Sequence, residues 1–90
     1  MYIHLGLDTV IKQEDIIGIF DLDTSTVSRH TRNYLAVAQK KNEIINITEE
    51  LPKSFIVCAK RNNRQEKKVY ISQISSVTLF KRSDFLSVIE

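Results

Sequence analysis

Two histidines and one cysteine, beside the carboxylates, are the few candidates the chain offers for catalysis. His4 alternates with strand-type residues in Tyr2-Ile3-His4-Leu5, and neither it nor His30 stands at a metal-ligand spacing such as His-Glu-x-x-His. A catalytic histidine needs convergent partners, so His4 reads as a packing or hydrogen-bonding residue. Cys58 lies inside Phe55-Ile56-Val57-Cys58-Ala59 with no cation before Lys60. A thiol in such a run behaves as a small inert hydrophobe rather than as a nucleophile. Glu14, Asp15, Asp21 and Asp23 suggest a cation site, but the EF-hand spacing is absent and strand-end carboxylates also cap helices. With two glycines the chain has no Gly-rich phosphate cradle, and a single cysteine excludes an intrachain disulfide framework and a Cys-rich zinc module. The expectation is a protein that is not an enzyme and needs no cofactor, metal or small-molecule ligand.

Basic residues carry the stronger signal. Lys60, Arg61, Arg64, Lys67 and Lys68 crowd into nine positions, with Asn62 and Asn63 as further donors. On a hairpin such cations reach along a nucleic-acid backbone, or else they simply keep a loop solvated. Lys53, beside Pro52, would assist. Arg29 and Arg32 form a secondary group on one face of a helix, where the ordinary role is the solvent side. The absence of Trp and the few aromatics argue against a base-stacking single-strand binder.

These side chains need elements to hold them. Residues 2–11 alternate as strands around a turn at Gly6 and Asp8. Ile16 to Leu22 is too short an apolar run for a helix and reads as a central strand, with Gly18 tolerated where another backbone comes close. Residues 24–41 change to the helical period, with Asp23, Thr24 or Ser25 as N-cap and Asn42 as a left-handed stop. Val27, Tyr34, Leu35 and Ala38 share its apolar face. Ile44–Ile47 is a short strand or extended linker, and Leu51-Pro52 ends regular structure. Residues 54–60 and 67–71 are strands joined by a loop over 61–66. Ser75 or Ser76 caps a short C-terminal helix, and Asp84 caps a further turn bearing Phe85, Leu86 and Ile89. The fold class is α+β: a small antiparallel-rich sheet packed by one main helix and a short C-terminal helix.

Ninety residues make one domain, 1–90, with 83–90 as a tail or interface segment. No apolar run approaches the about 20 residues of a membrane span, and no basic leader precedes Lys12. A cytoplasmic protein without a membrane partner is expected. Charge is uneven: one lysine against five carboxylates gives residues 1–23 a net −4, whereas seven cations against three carboxylates give residues 54–90 a net +4. That asymmetry suits an anionic partner, and it suits head-to-tail self-association equally. Phe85, Leu86, Val88 and Ile89 should not stay in water, since fully burying each contributes roughly 1.5–3 kcal/mol. Phe85, Leu86 and Ile89 are therefore the expected oligomer interface.

The segments Tyr2–Gly6 (YIHLG), Ile16–Thr24 (IIGIFDLDT) and Val69–Arg82 (VYISQISSVTLFKR), in this order and spacing, resemble the RemA/RemB family of bacterial extracellular-matrix regulators, closer to RemB. The likeness covers residues 1–82. It implies a small α/β protein that self-assembles into rings and binds duplex DNA to activate biofilm-matrix genes. RemA-like members carry an arginine just before the central strand, where this chain has Asp15, and an arginine-rich connection where it has Thr48-Glu49-Glu50-Leu51-Pro52-Lys53-Ser54. Only Lys53 matches in part. The expected partners are thus duplex DNA and the protein itself. A structural or protein-interaction module that keeps the oligomeric fold without DNA binding stands as the alternative.

Overall fold

A computed structural model describes residues 2–22 and 28–82. Alternating apolar side chains fold the N-terminus into an antiparallel hairpin of β1 (Tyr2–Gly6) and β2 (Thr9–Lys12), with Ile3 opposite Ile11. Its turn needs two positive φ angles, +131° at Gly6 and +47° at Leu7. The His4 ring holds this turn by donating from Nε2 to the Leu7 carbonyl. The hydrogen-bonding role expected of His4 is the one it plays.

One 3-10 turn, Gln13–Asp15, leads into β3 (Ile16–Asp21). The main sheet has the order β3-β5-β6-β4, so β3 is an edge strand and not the central strand its composition suggests. The centre belongs to β5 (Ser54–Lys60), buried on both faces from Ser54 to Ala59, as a continuous apolar run requires. A bulge between Ile16 and Gly18 breaks the period of two on β3. Ile16 and Ile19 consequently share one buried cluster, and Ile17 is left exposed. Gly18 is needed for a side chain rather than a backbone: a Cβ there would lie 2.6 Å from the Phe20 ring, which leans back to stack on Phe55.

The strand β6 (Asn63–Ser72) pairs antiparallel with β5, and β4 (Ile44–Asn46) pairs parallel with β6 at the far edge. The loop expected over 61–66 contracts to Arg61-Asn62, because strand structure resumes at Asn63, four residues before Lys67. The ladder slips there: Lys60 pairs with Asn63 and Ala59 with Lys67.

Two layers cover the sheet. The first is α1 (Arg29–Lys40), whose Ala38 and Leu35 pack on Phe55, Val57 and Val69. It is shorter than the helix expected over 24–41. The caps at Asp23, Thr24 and Ser25 and the contact of Val27 lie outside the described residues, and Ser28, just before the helix, is extended and makes no side-chain capping bond. Its far end is as expected: Asn42 has φ +59°, its N–H donates to the Gln39 carbonyl (3.1 Å) and that of Glu43 to Ala38 (2.9 Å), the paired bonds of a Schellman stop.

The other layer is the β1–β2 hairpin together with α2 (Ser76–Arg82). Ser75 Oγ accepts the Thr78 N–H at 3.2 Å and so caps α2, and Leu79 is fully buried against Ile3, Leu5 and Ile19. Two buried serines sew this layer to the sheet. Ser72 Oγ donates to the Leu5 carbonyl and accepts the Ile74 N–H (3.0 Å), while Ser54 Oγ donates to the Ile74 carbonyl (2.6 Å). The architecture is the α+β class expected from the strand and helix periods. The turn expected at Asp84, and with it Phe85, Leu86 and Ile89, lies outside the described residues.

Candidate nucleic-acid interface

Lys60, Arg61, Arg64, Lys67 and Lys68 are brought together at the β5–β6 tip, and all are exposed. The two faces of the tip differ. Toward the β1–β2 hairpin, Lys60 and Lys68 line a cleft with Asp15, Glu66 and Tyr70. Lys60 Nζ pairs with Glu66 at 3.7 Å, and Arg61 Nη1 with Glu14 at 3.6 Å. Exposed pairs of this kind contribute about 0–1 kcal/mol, yet they offset positive charge that would otherwise face an anion. This side is mixed.

Toward α1, Arg64 and Lys67 line a second cleft with Tyr34, Lys41 and Glu43. Among the described residues no carboxylate forms an ion pair with Arg64, Lys67 or Lys41. Arg64 is oriented by its own strand partner, donating from Nη1 to the Ala59 carbonyl at 3.1 Å. Burial, and after it the Glu43 carboxylate, push the Tyr34 hydroxyl above its usual range, so it stays a proton donor at the cleft wall. Three cations and one phenol thus meet one acid. Lys41 and Tyr34 were not singled out in the sequence as contact residues, because they sit in a different element and only folding sets them beside Arg64.

Other expected contacts are not brought to this place. Lys53 precedes β5 whereas Lys60 ends it, so about 23 Å of extended strand separates them. Lys53 is tied in through its backbone, donating to Ser72 (2.9 Å) and accepting from Leu22 (3.0 Å), with its side chain exposed. Arg29 and Arg32 are exposed at the start of α1, whereas Lys41 follows its end. Glu49 and Glu50 fall at the Lys53 end, in a connection braced by Thr48 Oγ1, which donates to the Glu50 carbonyl (2.8 Å), and by the Glu49 N–H, which donates to Gln73 Oε1 (3.3 Å). Cys58 is buried, and burial first, with Asp15 second and Lys68 opposing, pushes its thiol up to about 12. Burial thus favours the protonated thiol at neutral pH, in keeping with its apolar run. Among the described residues no group of three or more His, Cys, Asp or Glu side chains is placed to hold a metal ion, and no helix is long and apolar enough to cross a membrane.

The three segments that resemble a known family do one structural job. Tyr2–Gly6 supplies Ile3 and Leu5, Ile16–Asp21 supplies Ile16 and Ile19, and Val69–Arg82 supplies Leu79, and these five side chains belong to one cluster. The family model described as extracellular matrix regulatory protein A-like matches residues 2–82. The chain belongs to the RemA-like family. Extracellular matrix regulatory protein B of Bacillus subtilis (strain 168) is 34% identical to it over 90 residues, which is all of this chain and 99% of that protein. The three segments read from the sequence thus each supply side chains to the layer under the hairpin. Asp15 lies beside the hairpin-side cleft, and Glu49-Glu50 lie at the opposite end of β5.

Proposed function

We propose that the chain is a homo-oligomeric, DNA-binding regulator of extracellular-matrix genes that grips the phosphate backbone with the α1-facing side of the β5–β6 tip. The observation that carries the contact is the cleft of Arg64, Lys67 and Lys41, three cations with no paired carboxylate among the described residues. The regulatory role rests on the RemA-like family and on the name of the Bacillus subtilis relative. Lysine and arginine contacts to phosphate orient a protein without reading bases. Each copy accordingly adds affinity with weak base preference, and selectivity comes from DNA shape and from the spacing of copies. No cofactor and no catalytic step enter this reading.

Mobility shift of duplex DNA at about 50 and about 200 mM salt tests it, because affinity falls with a slope of about −0.9 per neutralised phosphate. Each contact is then worth roughly eightfold in affinity at about 0.1 M salt. Arg64→Ala with Lys67→Ala should weaken binding about 60-fold and flatten the slope by about two. Lys60→Ala with Arg61→Ala should do much less, since Glu66 and Glu14 already neutralise those cations. Equal losses from the two pairs would overturn the choice of face.

A second reading is a protein-interaction module that keeps the fold and the oligomer. Asp15, Glu49 and Glu50 favour it, because carboxylates stand where the family resemblance calls for arginine and a carboxylate repels phosphate. No retardation at about 50 mM salt selects this second reading.

A further inference from the structure

The edge strand β3 and the first half of α1 leave a groove between them. Ile17, Phe20, His30, Tyr34, Phe55 and Lys67 line it. Its apolar wall is open to solvent: Ile17 is 53% exposed, Phe20 41% and Tyr34 37%. Two features described above produce this. The bulge turns Ile17 outward, and Gly18 lets the Phe20 ring lie flat against Phe55, so that the groove floor is aromatic. The helix does not close the gap, since Ala38 is its one fully buried residue. Contiguous exposed apolar surface of this kind calls for a partner.

We propose that this groove receives the apolar segment Phe85–Ile89 of a second copy of the chain. The proposal deepens the homo-oligomer part of the reading above by naming the contact; it shares Lys67 and Tyr34 with the phosphate cleft, and its test is read without DNA. Two observations select the occupant. The segment carries Phe85, Leu86, Val88 and Ile89 between Asp84 and Glu90. It thus brings apolar bulk for the groove and carboxylates for Lys67 at its rim.

Reach then favours a neighbour's tail over the chain's own. Arg82 ends α2 on the hairpin side of the sheet, where its Nη1 donates to the His4 carbonyl at 3.0 Å. The groove lies on the other side, among Phe55 and Val57. Packed layers stand about 10 Å apart, so the path round β3 is about 20 Å. Four residues from Arg82 to Leu86 span at most about 14 Å. Phe85 and Leu86 therefore fall short of their own groove, whereas all four apolar side chains can seat in a neighbour's. Tail into groove is a heterologous contact, which repeats from copy to copy and closes into a ring when the rotation permits.

Light scattering without DNA tests this by complementation. Ile17→Lys disables the groove and leaves the tail; Phe85→Asp with Leu86→Asp disables the tail and leaves the groove. The full-length wild type should form multimers and each variant alone should be a monomer. An equimolar mixture of the two variants should give a dimer and nothing larger, since one good groove meets one good tail. Recovery of the dimer also shows that both variants fold; if Ile17→Lys loses cooperative unfolding, Tyr34→Lys on the exposed helix face takes its place. Wild-type mass in either variant, or a mixture that stays monomeric, overturns the contact. A monomeric wild type overturns this proposal and the homo-oligomer reading together, and mobility shift still reports DNA contact separately.

Discussion

Replacing Ser72 by alanine removes one oxygen from the most buried polar seam of the fold. Ser72 is fully buried, and its hydroxyl both donates to the Leu5 carbonyl and accepts the Ile74 N–H. A buried group left without a partner costs about 1–3 kcal/mol. The Leu5 carbonyl is orphaned in the cluster, and the partly buried Ile74 amide retains some access to water, so the two together come to about 2–4 kcal/mol. A chain of this length has roughly 5–13 kcal/mol of stability in all, so the loss is a large fraction. With a urea m value near 1 kcal/mol/M, the midpoint should drop by about 2 M or more. The damage should also be local, because the bond joins β1 to β6. Hydrogen exchange at Ile3, Leu5 and Ile11 should accelerate before that of Val57 or Val69. Ser54→Ala should couple with Ser72→Ala by about 0.5–3 kcal/mol in a double-mutant cycle, since Ile74 is bonded from both serines. A midpoint change equivalent to less than about 0.5 kcal/mol, the size of an ordinary surface substitution, would refute the reasoning.

Gly18→Ala should push the Phe20 ring off Phe55, since the new Cβ would meet it at 2.6 Å; the cost is about 0.5–1.5 kcal/mol of lost ring pairing, read as a changed ring-current shift of Phe55 by NMR. Cys58 should resist a thiol reagent at pH 8 until denaturant is added. Its folded value of about 12 lies above the ordinary 9.0, so the unfolded chain loses the proton first. Stability should therefore be unaffected by this group below pH 9 and should fall as pH rises from there toward 12, as pH-dependent urea titrations of wild type and Cys58→Ala would show. Asn42→Val should cost about 1–2 kcal/mol by forcing a β-branched residue to φ +59°, while Asn42→Gly should cost almost nothing; thermal unfolding of the pair separates backbone strain from side-chain loss.

Much of the site was legible because it is local. Five cations in nine positions must share one place in any hairpin, and they do share the tip of β5–β6. Which of them faces an unpaired surface was not legible, since Glu14 reaches Arg61 from another part of the chain and Glu66 reaches Lys60 across the slipped ladder. Lys53 is the opposite case. Seven residues from Lys60 is near in sequence, but along an extended strand it is the far end of the sheet.

The amino-acid order by itself determined the strand and helix periods, the Asn42 stop, a serine cap at Ser75 or Ser76, the apolar setting of Cys58 and the family, because each depends on side chains within a few positions or on the order and spacing of three short segments. Only the tertiary structure decided that β3 is an edge, that β4 runs parallel to β6, that Lys41 and Tyr34 join Arg64 and Lys67, and that an apolar groove stays open beside Phe20. Backbone hydrogen bonds between strands are the same for every sequence. Strand order is therefore chosen by which faces bury together across the whole chain, and a surface inherits its neighbours from that choice.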